Sequence, residues 1–161
     1  MKLFHGTNTD IETIDLSRCQ PFKDFGKGFY LTDVEKQAEY MAIRRHEQTG
    51  EGQPTLIEYE FDEKLLHGKT FRIKRFEKPS KAWAQFILAN RLDESFKHDF
   101  DIVIGPVADD GVAFQLRRYI ENYISLNQLV RELTYRKLNS QYYFGTDKAI
   151  NALIKTNCVK L

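Results

Sequence analysis

The sequence predicts a single α+β domain spanning residues 1–161, and three observations carry the prediction. Short apolar or alternating stretches recur along the chain, separated by helical stretches of irregular length, unlike the even winding of βαβ units. No internal repeat, low-complexity tract or Pro/Ser-rich linker divides it. With 42% hydrophobic and 13% aromatic residues, a chain of this length buries a core without staples.

Each element has a local reason. Lys2 to His5 reads as a short opening strand, and Ile11 to Phe25, punctuated by Asp, Ser and Pro, as loop. Phe29 to Thr32 is an apolar, aromatic strand. Asp33 is a candidate N-cap for a helix to about Gly50, with Val34, Ala38, Met41 and Ala42 at helical spacing. Glu51-Gly52-Gln53-Pro54 ends it. Thr55 to Phe61 alternates Leu56, Tyr59 and Phe61 with polar residues, and Thr70 to Phe76 does so through Phe71, Ile73 and Phe76. Pro79-Ser80 starts a helix to about Arg91 with Trp83, Phe86 and Ile87 inward. Asp101 to Pro106 is a buried strand stopped by Gly105-Pro106. Helices follow near Val112–Tyr123 and Leu126–Leu133, the second opening at Ser125. Ser140 to Phe144 is a strand, Thr146 caps a helix through Ile154, and Cys158 to Leu161 makes a last strand. Trp83, Phe86 and Phe114 are expected in the core.

Composition removes several functions. A net charge of +1 argues against a duplex-DNA binder that relies on bulk phosphate attraction, while leaving room for a local basic patch. Cys19 and Cys158 stand near opposite ends and read as free thiols in a reducing cytosol. No apolar run is long enough to span a membrane. Met1-Lys2-Leu3-Phe4 leads straight into strand-like sequence, so no targeting segment is expected and the location expected is cytoplasmic. His46, His67 and His98 lack ligand spacing, and no metal is expected. Gly145-Thr146-Asp147-Lys148 lacks Walker spacing and reads as a helix cap.

The chemistry concentrates in two short runs. Gly26-Lys27-Gly28-Phe29-Tyr30-Leu31-Thr32 places a glycine-bracketed lysine directly before an aromatic strand, and the helix after it carries Tyr40. Phe4-His5-Gly6-Thr7 lies upstream. Together they suggest a pocket with a polar hook, an open backbone edge and two aromatic walls. A flat cationic heteroaromatic ring on a ribose fits that description.

These residues resemble the ADP-ribosyltransferase superfamily, in its diphtheria-toxin and poly(ADP-ribose) polymerase branch. His5-Gly6-Thr7 matches its first motif, Gly26-Lys27-Gly28-Phe29-Tyr30 with Tyr40 its second, and Asn139 to Phe144 its third, where Gln141 replaces the usual glutamate. The chain is more closely similar to a bacterial family of uncharacterised domains related to that superfamily, marked by Asp15-Leu16-Ser17, Asp24 to Thr32, and Asp101 to Ala108. In that family glutamine is usual at the third position. The resemblance covers essentially the whole chain and implies split, strongly bent sheets around an NAD cleft with flanking helices. It implies NAD as substrate and mono-ADP-ribosyl transfer to a macromolecular acceptor, protein or nucleic acid. Many members look like toxins of two-gene modules, which implies an antitoxin protein as a further partner.

Residue roles follow from the same resemblance. Gly6 offers backbone groups to the carboxamide, His5 bonds the adenosine ribose, Thr7 adds a hydroxyl, Tyr30 and Tyr40 sandwich the nicotinamide, and Gly28 counts with them among the NAD-binding residues. A helix serine of the polymerase branch falls here at Gln37 or Ala38. Arg18 and Lys23 either meet the NAD phosphates or form surface salt bridges. Arg44-Arg45 and Arg117-Arg118 are solvated helix faces, or bind a target or an antitoxin. Asn90-Arg91 ends a helix that can line the site.

Nicotinamide leaves as a neutral molecule, so the chemistry demands stabilisation of an oxocarbenium-like ribose more than a strong acid. Gln141 can accept from the ribose 2′-hydroxyl but supplies a dipole where glutamate supplies a charge. Losing one preorganised electrostatic group costs about 100- to 1,000-fold in rate. Three outcomes stay open: slow transfer, a recruited carboxylate with Asp109 and Asp110 as candidates, or binding without cleavage. NAD hydrolysis and a non-catalytic NAD or ADP-ribose module are the alternative functions.

Overall fold

Side-chain alternation along three adjacent strands decides the architecture. In the computed structural model, which describes residues 1–134 and 138–161, the strands are β1 (Lys2–Thr7), β2 (Phe29–Thr32), β3 (Thr55–Glu60), β4 (Ile73–Arg75), β5 (Ile102–Pro106), β6 (Ser140–Phe144) and β7 (Ile154–Lys160). The helices are α1 (Glu35–Thr49), α2 (Lys81–Leu92), α3 (Asp110–Ile120), α4 (Leu126–Thr134) and the short α5 (Asp147–Ile150). The fold is α+β.

Val103 of β5 and Tyr143 of β6 point to one face with Tyr30 of β2 packed beside them, while their neighbours Ile102, Ile104, Tyr142 and Phe144 point to the other. The first face carries Trp83 and Ile87 of α2, Leu116 of α3, and Leu129 and Leu133 of α4. Leu3, Ile57, Phe61 and Ala149 fill the opposite face. A smaller cluster of Phe4, Ala38 and Leu56 seats α1 on β1 and β3.

The strands form one mixed sheet in the order β4-β5-β6-β2-β1-β3-β7. Every neighbouring pair is antiparallel except β4 and β5. One sheet therefore stands where a sheet pair was expected, but its middle is barely joined. β1 and β2 share a single registered pair, Phe4 with Thr32, whereas β1 pairs with β3 along its whole length.

Several elements depart from the sequence reading for identifiable reasons. The N-cap of α1 is Val34 without a side-chain cap; Thr32 Oγ1 takes the Val34 N–H at 3.2 Å, and Asp33 accepts instead from the Tyr142 hydroxyl. Only Ala38 and Ala42 of the expected α1 stripe are buried, leaving Met41 47% exposed. The helix capped by Thr146 ends at Ile150 because Ile154 already pairs with Glu60 as the outer edge of the sheet. Phe114 lies outside the core, 58% exposed with the Arg118 guanidinium over its ring. Trp83 is fully buried. Among the described residues no helix is long and apolar enough to cross a membrane.

Candidate functional site

The parting of β1 from β2 creates the site. Beyond the Phe4–Thr32 pair the Tyr30 carbonyl needs a donor, and His5 Nδ1 lies 2.8 Å from it. A carbonyl only accepts, so Nδ1 carries the proton and neutral His5 keeps Nε2 as an acceptor. Burial pushes the His5 pKa down to about 4, working against the Tyr30 carbonyl, and the charge of Arg45 lowers it further. The imidazole rests on Phe29 with ring centroids 4.4 Å apart.

Tyr30 ties the glycine-bracketed loop to its strand. Its hydroxyl accepts from Phe25 N–H at 2.9 Å and donates to the Gly26 carbonyl at 2.8 Å. His98 supports the same loop, with Nε2 2.7 Å from the Phe25 carbonyl. Thr7, buried at the end of β1, accepts from Thr9 N–H at 3.3 Å.

The two glycines have different neighbours from those the sequence suggested. A Cβ on Gly6 would lie 1.9 Å from the Ala38 carbonyl oxygen, so its bareness lets α1 press against β1 and does not await a ligand. At Gly28 a Cβ would lie 2.2 Å from the Tyr143 ring. Both glycines nevertheless border the cleft.

That cleft has a volume of about 930 Å³, and His5, Gly6, Thr7, Gly28, Tyr30 and Gln141 all line it. Gln37 and Ala38 of α1 line it too. Tyr40 does not: it is 60% exposed on the outer side of α1, and Met41 takes the wall position. Helical geometry explains the exchange, because the face that packs through Ala38 and Ala42 also presents Met41 and Arg45. The expected tyrosine sandwich is therefore absent.

Four cations border the cleft: Arg18, Lys23, Arg45 and Arg91. The first three make no ion pair among the described residues. An adjoining pocket of about 280 Å³ shares Lys23, Met41 and Arg45 with it and adds Arg44 and Gln48. No group of three or more His, Cys, Asp or Glu among the described residues converges as a metal site.

A family model described as a protein of unknown function (DUF3990) matches residues 1–154. The chain belongs to the DUF3990 family. No curated protein and no solved structure matches it. For this DUF3990 chain, geometry is therefore the guide to chemistry.

The far wall joins Gln141 to a carboxylate that the sequence did not place at the site. Gln141 is 9% exposed, and its Nε2 donates to Asp24 Oδ2 at 2.8 Å and to the Pro106 carbonyl at 3.2 Å. Both amide hydrogens are thereby committed, which leaves Oε1 as the acceptor that Gln141 has to offer. Asp24 is 8% exposed, lines the cleft, and accepts from Arg91 Nε at 2.9 Å and Nη2 at 2.5 Å. Ala108 N–H reaches its Oδ2 at 3.3 Å.

Asp109 and Asp110 do not fill the role of a substitute carboxylate. Asp109 caps α3 through Val112 N–H, Asp110 lies 3.5 Å from Arg44, and neither lines the cleft. The carboxylate beside Gln141 is Asp24. Its sequence signal was an acid opening the Asp24-Phe25-Gly26 run, coupled to a single cation ending the largely apolar α2.

Proposed function

We propose that the protein is a mono-ADP-ribosyltransferase that moves ADP-ribose from NAD to an intracellular macromolecule. The observation that carries this reading is that His5, Gly6, Tyr30 and Gln141 line one cleft. They come from three strands, and the cleft opens where β1 and β2 part. A sheet nearly divided at its centre supports an ADP-ribosyltransferase-like arrangement. The volume suits a dinucleotide, since ligand pockets run to about 300–1,000 Å³.

The chemistry follows from the atoms on offer. NAD binds with its phosphates toward Arg18, Lys23 and Arg45 and its nicotinamide beside Tyr30 and Met41. His5 Nε2 accepts a ribose hydroxyl, the Gly6 backbone meets the carboxamide, and Gln141 Oε1 accepts the 2′-hydroxyl of the nicotinamide ribose. The glycosidic C–N bond breaks with its electron pair going to nicotinamide, which departs neutral. The resulting oxocarbenium ion is captured by a nucleophile of the acceptor, whose proton passes to water. Held geometry and dipoles aimed at the cation lower the barrier. In a two-gene module the antitoxin would occlude this cleft.

Incubation with labelled NAD and cell extract tests the reading. Label on a macromolecule together with free nicotinamide is expected; the absence of both products after long incubation contradicts it. The amide at position 141 favours one other reading, an NAD or ADP-ribose binding module, which predicts calorimetric affinity without turnover. Nicotinamide release without labelled macromolecule would instead mark NAD hydrolysis.

A further inference from the structure

We propose that Asp24 is the positioning residue that makes Gln141 act in place of a carboxylate. The proposal rests on the NAD reading above. A carboxylate only accepts hydrogen bonds, so Asp24 fixes which way the Gln141 amide faces: Nε2 toward Oδ2 at 2.8 Å, and Oε1 away from it. The Pro106 carbonyl, 3.2 Å from the same Nε2, enforces the same orientation. A charged acceptor on the amide hydrogens also polarises the group, deepening the negative charge on its oxygen.

Asp24 is not built to be a base. Arg91 places two donors on Oδ1, while Gln141 and Ala108 place one each on Oδ2. Four donors fill the four acceptor sites of a carboxylate. Held immobile beside the cleft, it contributes charge and alignment without moving a proton. Placing an ion pair at this depth is not the cheapest way to fill the space, because apolar replacements of buried pairs are often neutral or stabilising. A role at the ligand gives the pair a reason to be there. On the NAD reading the charge has a counterpart, since NAD carries its positive charge on the nicotinamide ring and the reduced dinucleotide lacks that charge.

Position 141 then has an unusual expectation. Gln141→Glu does not activate the protein; it sets two carboxylates within hydrogen-bond reach, and one of them must take up a proton. The charge works from either position but not from both.

Calorimetry of the intact chain with NAD and its reduced form, supported by melting curves, tests this. Wild type is expected to prefer the oxidised form. Asp24→Asn is expected to reduce that preference about tenfold, while the double variant Asp24→Asn/Gln141→Glu restores it, with the new carboxylate accepting from the amide introduced at position 24. Gln141→Glu alone is expected to give NAD binding a pH dependence between about pH 6 and 8 that wild type lacks, and this readout stands even if Asp24→Asn fails to fold. Equal loss of affinity for both forms in Asp24→Asn, without rescue, marks a purely structural ion pair and overturns the proposal. Tighter, pH-independent NAD binding by Gln141→Glu overturns it as well. Wild type that binds neither form removes the NAD reading itself, a separate result.

Discussion

The two walls of the cleft are built in opposite ways. The near wall, β1 with β2, is made of backbone: a carbonyl held by His5, a helix laid on Gly6, and a loop pinned by the Tyr30 hydroxyl. The far wall is made of side chains brought together from distant segments. Asp24 and Gln141 are 117 residues apart, and Asp24 and Arg91 are 67 apart. The near wall therefore depends on shape, and the far wall on charge balance. Substitutions should separate them, with packing failures on one side and electrostatic failures on the other.

The largest effect is expected on the far wall. Arg91→Met leaves Asp24 buried and unpaired, which costs about 3–5 kcal/mol in comparable pairs; with Arg91 partly exposed, the lower end applies. Chemical denaturation measures it, and replacing both partners by apolar residues should recover most of that stability. If Arg91→Met unfolds like wild type, the far wall is not held by charge.

Gly6→Ala comes next, as the sharpest test of the near wall. The added methyl meets a helix carbonyl that cannot retreat without lifting α1, so a loss of about 1–3 kcal/mol is expected. Weakened NAD binding should accompany it. A melting temperature unchanged by the methyl would show that α1 sits loosely.

His5 gives a smaller effect with a defined sign. Its native pKa is about 4 against an ordinary 6.5, so between those values the unfolded chain binds the proton that the folded chain refuses. The His5 contribution to stability should fall as pH drops from about 6.5 toward 4 and change no further below. His5→Asn should remove that segment of the pH profile. A His5 that titrates by NMR near the ordinary 6.5 would contradict the neutral, half-buried imidazole.

Tyr40→Ala should do least, staying within about 0.5 kcal/mol of wild type and leaving NAD affinity unchanged. Met41→Ala, one residue along, should weaken NAD binding. The reverse pattern would restore the tyrosine sandwich.

The contrast between the walls also explains what the sequence revealed. β2, α2 and β5 were legible because a short apolar run, the Ser80 cap and the Gly105-Pro106 stop are local signals. His5, Gly6 and Tyr30 were legible for the same reason: each belongs to a contiguous run. Tyr40 misled because its role came from the resemblance, while the apolar stripe already set Ala38, Met41 and Ala42 on the packing face, and the close approach at Gly6 holds the Ala38–Ala42 side inward. Asp24 was visible as a letter, but its role depends on a hydrogen bond spanning most of the chain, which no local pattern encodes. The helix after Thr146 failed because β7 is made by its partner β3, a long-range demand that outweighs the local helical reading.

A crystal structure of the protein soaked with NAD tests the central claim most directly. The account predicts the nicotinamide ribose within hydrogen-bond reach of Gln141 Oε1, with His5 Nε2 on a ribose hydroxyl and the phosphates toward Arg45 and Lys23. Density for the dinucleotide away from this cleft, or a cleft left vacant at saturating NAD, would contradict it.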